Sequence, residues 1–120
     1  MWKQINPNPC GRYVGDCVVR ALSIALNHSW KETYLSLCIT GFVECDMPSA
    51  NHVWGKYLEE NGYYCQRVDG WRTVRQWADA LADGNYILAT GSHVIAVMDG
   101  DYYDAWDSGN EIPIEIWKER

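Results

Sequence analysis

The chain has 120 residues and a mass of 13.8 kDa, enough for a single domain over residues 1–120 and too little for a second core of ordinary size. Apolar residues make up 48% of it and charged residues 22%, an ordinary globular balance that excludes disordered, collagen-like and coiled-coil classes. A net charge of −6 without any extended Lys or Arg run sets the overall field against a phosphate backbone, so no nucleic-acid partner is expected.

The opening Met1-Trp2-Lys3-Gln4-Ile5-Asn6-Pro7-Asn8-Pro9 has no apolar core of an export signal, and nowhere are there enough consecutive apolar residues for a membrane span. No membrane partner and a cytoplasmic location are the corresponding expectations. The segment from Asp16 to Leu26 reads as a largely buried helix, with Asp16 as its N-cap and only Arg20, Ser23 and Asn27 as a polar stripe. Ser29-Trp30-Lys31-Glu32 is a capping box that starts a second helix, expected to run to about Cys38 and stop at Thr40-Gly41. A third helix is expected from Pro48-Ser49 to Asn61-Gly62, followed by a short strand from Tyr63 to Val68. Thr73-Val74-Arg75-Gln76 is another capping box, opening a short helix that Asp83-Gly84 ends.

Beyond that point the pattern turns to strands: Tyr86 to Thr90, His93 to Met98, Tyr102 to Trp106 and Ile112 to Trp117. Asp99-Gly100 predicts a tight hairpin, and the unbroken Val94-Ile95-Ala96-Val97 run predicts a central strand covered on both faces. Helices first and an antiparallel sheet last make an α+β domain.

Five cysteines, an odd number with no CxxC pair, suit neither a disulfide framework nor the usual zinc spacings, so no metal and no cofactor are expected. Cys17 is the one to single out. It opens a buried helix directly after Gly15-Asp16, where the unpaired helix amides and the macrodipole favour the nucleophilic thiolate. A thiolate also needs a base and an orienter for that base. His93 opens the central strand, and the Asp99-Gly100 turn folds an acid-bearing strand back beside it. A two-residue turn places Asp104 diagonally from His93, and a three-residue loop places Asp107 directly opposite. The directly opposed Asp107 is the choice, within a Cys17, His93, Asp107 set that should share one cleft.

Gly15-Asp16-Cys17-Val18-Val19-Arg20-Ala21, then Gly91-Ser92-His93-Val94-Ile95-Ala96-Val97 and Trp106-Asp107-Ser108, resemble papain-like cysteine peptidases over nearly the whole chain. The likeness is to small phage- and prophage-encoded members and to bacteriocin-leader-processing peptidases, and the Cys box also echoes ovarian-tumour-type deubiquitinases. The resemblance implies a nucleophile helix packed on a sheet that carries His and Asn or Asp. It also implies Cys17 as nucleophile, His93 as general base and acid, and Asp107 as orienter. The family usually supplies an oxyanion-stabilising Gln six residues before the Cys, where this chain has Gly11; Asn8 or Asn6 is the substitute donor that the sequence offers. Asn8, Asp16 and Trp106 are accordingly the expected substrate-binding residues.

The remaining candidates read as structural. His52 is expected to face solvent, His28 to sit at a helix C-terminus, and Cys10, Cys38, Cys45 and Cys65 to be buried or half-buried thiols. Trp71, Trp77, Trp106 and Trp117 are expected to form core and cleft wall. Two functions follow: a cysteine-dependent hydrolase of a peptide, amide or isopeptide bond, or a non-catalytic papain-like module, such as a phage accessory protein, that sequesters a host component. The partner is then a peptide or protein substrate, or a host protein, in the cytoplasm of the host cell if the chain is phage-encoded.

Overall fold

The computed structural model describes residues 1–120. The helices stand in the expected order, α1 (Cys17–Leu26), α2 (Trp30–Glu44), α3 (Asn51–Glu60) and α4 (Val74–Ala80). Both predicted capping boxes are formed, Ser29 with Glu32 and Thr73 with Gln76. Two local expectations need correction. Asp16 caps no amide of α1 with its side chain; the carboxylate is taken instead by Arg20 and by Trp30 Nε1. And α2 does not stop at Thr40-Gly41 but continues to Glu44, with Cys45 as a left-handed cap. Gly41 sits inside the helix because a Cβ there would stand 2.7 Å from the Asp46 carbonyl oxygen. Its role is close packing against the returning chain, which helix propensity alone does not reveal.

The strands are β1 (Trp2–Gln4), β2 (Tyr63–Arg67), β3 (Asn85–Ala89), β4 (Val94–Met98), β5 (Asp101–Asp104) and β6 (Glu115–Glu119). They form one six-stranded sheet in the order β1-β5-β4-β3-β6-β2. All neighbours are antiparallel except β1, which runs parallel to β5, so the sheet is mixed. The sequence does not announce β1: three residues are too few for a periodic signal, and only the edge of β5 gives them hydrogen-bond partners. The last strand begins at Glu115 rather than Ile112, since Pro113 lacks the amide that a ladder needs.

Asp99 and Gly100 both adopt positive φ, 50° and 87°, the backbone of a two-residue hairpin turn. Met98 therefore pairs with Asp101 and Ala96 with Tyr103. The three-residue loop favoured from sequence does not form.

β4 lies between β3 and β5, and Val94, Ile95, Ala96 and Val97 are all buried, as expected of a strand covered on both faces. Val94 and Ala96 pack with Val18, Ala21 and Leu22 of α1 and Trp54 of α3 on one side. Ile95 and Val97 pack with Val74 and Ala78 of α4 on the other. The α+β architecture is thus a mixed sheet with α1 and α3 against one face and α4 against the other. The packing pins the start of α1 beside the start of β4. No helix is long and apolar enough to cross a membrane.

Candidate active site

Cys17 is the first residue of α1 and is half-buried. Its thiol shares both neighbouring cavities with His93 and stands close enough to that ring and to the Val94 backbone for both to lower its pKa. His93 is buried, and its Nε2 stands 2.6 Å from Oδ2 of Asp104, which leaves Nδ1 for the sulfur. Trp106 lies flat over the imidazole, with centroids 4.8 Å apart and planes 22° apart, and so restricts ring rotation.

Asp104 is held in turn. Oδ2 also accepts from Ser108 Oγ at 2.7 Å, while Oδ1 accepts from the Ala105 amide at 2.8 Å and from Arg20 Nη2 at 3.3 Å. Arg20 is buried and bridges to Asp16, whose other oxygen accepts from Trp30 Nε1 at 2.8 Å. The guanidinium also stands 5.1 Å from the Trp106 ring. One continuous polar network therefore links the loop before Cys17 to the group that holds His93. Such a network costs desolvation and is stable only because nearly every atom has a partner.

The electrostatics follow from these contacts. For Cys17 the largest influence is burial, which raises the thiol pKa. Against it act the hydrogen bond to His93, the charge of that ring, the Val94 backbone and Arg20, and together they bring the thiol below its ordinary value. For His93 burial is again the largest influence and opposes the cation, but the hydrogen bonds and charges of Asp104 and Cys17 prevail and raise its pKa to about 9. Burial likewise pushes Asp104 up, and the bonds from His93 and Ser108 more than reverse it, holding the carboxyl low. The shifts all run in the direction that favours thiolate, imidazolium and carboxylate in series.

Asp107 is not part of this set. Its Oδ1 accepts from Tyr102 Oη at 2.6 Å and from the Gly109 amide at 3.0 Å, and its Oδ2 is 3.5 Å from Arg75 Nη2. The Tyr102 hydrogen bond is the main reason that its carboxyl lies low. The choice of Asp107 rested on the three-residue loop and on the likeness of Trp106-Asp107-Ser108 to the family's third-residue segment; with the shorter turn, Asp104 takes the diagonal position, which a side chain as long as histidine spans.

Two cavities flank the thiol. One of about 240 Å³ is lined by Cys17, His93, Asn51, Trp54, Ser92 and Glu115 among others. The other, about 360 Å³, is lined by Cys17, His93, Asp16, Arg20, Trp106 and Glu111 among others. Trp106 and Asp16 thus lie in the cleft, although the Asp16 carboxylate is already engaged inside the protein. Asn8 does not line either cavity: its Oδ1 accepts from the Cys10 amide, and Asn6 bonds Arg12 and Asn8 within the same loop. Asn51 stands in the cleft instead. Its Oδ1 accepts from Trp54 Nε1 at 3.1 Å, which fixes the amide orientation and leaves Nδ2 as the free donor.

Sequence reasoning weighed Asp104 as the alternative partner of His93 but preferred Asp107, and it missed Arg20, Ser108 and Asn51. The i, i+4 spacing of Asp16 and Arg20 was the available signal for the buried pair. His52 is exposed and pairs with Asp46 at 3.3 Å, and His28 Nδ1 meets Tyr57 Oη at 3.4 Å. Cys10, Cys45 and Cys65 are exposed rather than buried, Cys38 is half-buried, and all five thiols are free. Trp117 packs edge-on against Trp54 in the core, whereas Trp71 lies at the surface against the Arg72 guanidinium. No three His, Cys, Asp or Glu side chains converge to hold a metal ion. No family model matches the chain, and neither a curated protein nor a solved structure matches it.

Proposed function

We propose that the chain is a papain-like thiol hydrolase that cleaves a peptide, amide or isopeptide bond, with Cys17 as nucleophile, His93 as general acid and base, and Asp104 as orienter. The observation that carries this reading is the chain of contacts from the Cys17 thiol through the His93 ring to the Asp104 carboxylate, in a cleft with room on both sides. Buried structural cysteines have no such partners and keep their protons.

The chemistry follows in two steps. The Cys17 sulfur attacks the substrate carbonyl carbon, and the tetrahedral oxyanion takes hydrogen bonds from the Cys17 backbone amide at the helix start and from Asn51 Nδ2. His93 then gives its proton to the leaving nitrogen as the carbon–nitrogen bond breaks, which leaves a thioester. In the second step neutral His93 removes a proton from water, the hydroxide adds to the thioester, and the acid departs as the Cys17 thiolate re-forms beside imidazolium. Asp104 stays ionised throughout and keeps the ring in the orientation that presents Nδ1 to sulfur.

Selective alkylation is the test. At pH 6 iodoacetamide should label Cys17 ahead of Cys10, Cys45 and Cys65, although these three are the more exposed. Cys17→Ser should abolish both that labelling and any hydrolysis. Labelling that follows exposure alone would end the hydrolase reading and leave the alternative, a binding module whose exposed Trp106 serves recognition.

A further inference from the structure

α2 is a surface helix without a polar side. Its inner positions Thr33, Leu37, Thr40 and Gly41 are buried, and a helix of this kind normally turns charge toward water on its other side. Here the stretch from Tyr34 to Val43 contains no charged residue. Leu35, Ile39, Phe42 and Val43, with Met47 just past the helix, are between 57% and 85% exposed. Leu35, Ile39 and Phe42 follow i, i+4, i+7 spacing and so form one stripe, unlike the single exposed apolar residues that any surface carries.

The area is large for a monomer. With Tyr34, 51% exposed, at the border, these side chains leave an apolar surface on the order of 600 Å². That is at the upper end of the ~300–600 Å² found for the largest patch of a typical monomer. It approaches the ~800 Å² that each partner contributes to an ordinary stable interface.

We infer that this face is covered by a second copy of the chain, with the two α2 helices antiparallel across a two-fold axis near Ile39. Two copies each carrying a charge of −6 repel over most of their surface, and the uncharged stretch of α2 is where that repulsion is least. The ends of the helix are complementary to one another: Lys31 stands one turn before Leu35, and Glu44 and Asp46 stand at the far end. Antiparallel pairing brings Leu35 of one copy against Phe42 of the other and Lys31 toward the partner's acidic end, and it sets the two helix dipoles antiparallel, each positive end beside the partner's negative end. An isologous contact uses the same patch twice, so one stripe suffices to close the assembly. None of these side chains lines the cavities around Cys17, so dimerisation and the proposed chemistry are separable.

Sedimentation velocity of the full chain from roughly 1 to 100 µM tests the inference. The mass should rise with concentration from 13.8 kDa toward twice that value. The Ile39→Asp, Phe42→Asp double variant should remain a monomer throughout, with an unchanged far-ultraviolet dichroism spectrum and unchanged Cys17 alkylation. As a milder pair, Lys31→Glu should weaken the dimer about fivefold, and adding Glu44→Lys should restore it. A wild-type chain that stays monomeric to the highest concentration overturns the inference, as does a dimer that survives the double variant. Binding of the monomer to phosphatidylcholine vesicles through Phe42 would assign the face to a membrane and overturn it equally.

Discussion

Replacing Asp104 is the sharpest perturbation of the site, because Asp104 and Asp107 are three residues apart and the structure assigns them different work. Asp104→Ala removes the acceptor 2.6 Å from His93 Nε2 and the partner of Ser108. Loss of a hydrogen bond to a charged group costs about 1.5–3 kcal/mol, which corresponds to roughly a 10- to 150-fold drop in rate if the whole of it is felt at the transition state. His93 should lose most of the upward shift that places it near 9, and Cys17 should then drift back toward an ordinary thiol. The assay is the pH dependence of iodoacetamide labelling at Cys17, read by mass spectrometry of the labelled peptide, together with turnover once a substrate is in hand. Labelling at pH 6 should fall for Asp104→Ala, fall less for Asp104→Asn, which can turn its one carboxamide oxygen to the ring in the place of Oδ2, and stay within about twofold of wild type for Asp107→Ala.

Asp104→Ala also strips Arg20 of a buried counter-charge, a change that destabilises by about 3–5 kcal/mol when one partner of a buried pair is lost. Asp104→Asn removes the same charge but keeps the side-chain volume and one acceptor oxygen, so it is the milder variant from which the comparison is read if the Ala variant unfolds. A larger loss at Asp107 than at Asp104, or unchanged labelling in both Asp104 variants, would refute the assignment.

Turnover should follow a bell in pH, rising as Cys17 ionises below the ordinary thiol range and falling as His93 loses its proton near pH 9. The stability consequence is less obvious. A raised His93 contributes stability that is full below its unfolded value of about 6.5 and is lost as pH rises through about 9, whereas a lowered Cys17 contributes stability in the opposite sense. Where the folded pair is thiolate and imidazolium, folded and unfolded chains bind equal numbers of protons and urea stability should be flat through the neutral-to-alkaline range. Cys17→Ser should unmask His93 and make stability decline with rising pH there; a decline of equal slope in wild type would contradict the ion pair. Asn51→Ala should lower turnover about 100- to 1000-fold with Cys17 alkylation unchanged, since Asn51 acts on the oxyanion and not on the thiol; unchanged turnover would remove it from the site. Gly41→Ala should cost about 1–3 kcal/mol in chemical denaturation, because its Cβ would meet backbone at 2.7 Å, and an unaltered midpoint would show that the turn after α2 can give way.

Local chemistry alone determined the parts of this molecule that are written in adjacent residues. The capping boxes at Ser29 and Thr73 start their helices because both partners lie within one turn. The tight turn at Asp99-Gly100 follows from two residues that tolerate positive φ, and the unbroken apolar run of β4 could only be a strand covered on both sides. Cys17 at a helix start and His93 at a strand start were legible for the same reason. What the tertiary structure decided depends on register and on long-range partners. One residue of turn length moves the acid beside His93 from Asp107 to Asp104. Gly41 reads as a stop until the chain after α2 is seen folding back against it. Arg20 reads as a polar stripe residue until Asp16 and Asp104, four and eighty-four positions away, close around it. Sequence carries spacing within an element, but the meeting of elements is set by which faces the core buries together, and the site lies where three of them meet.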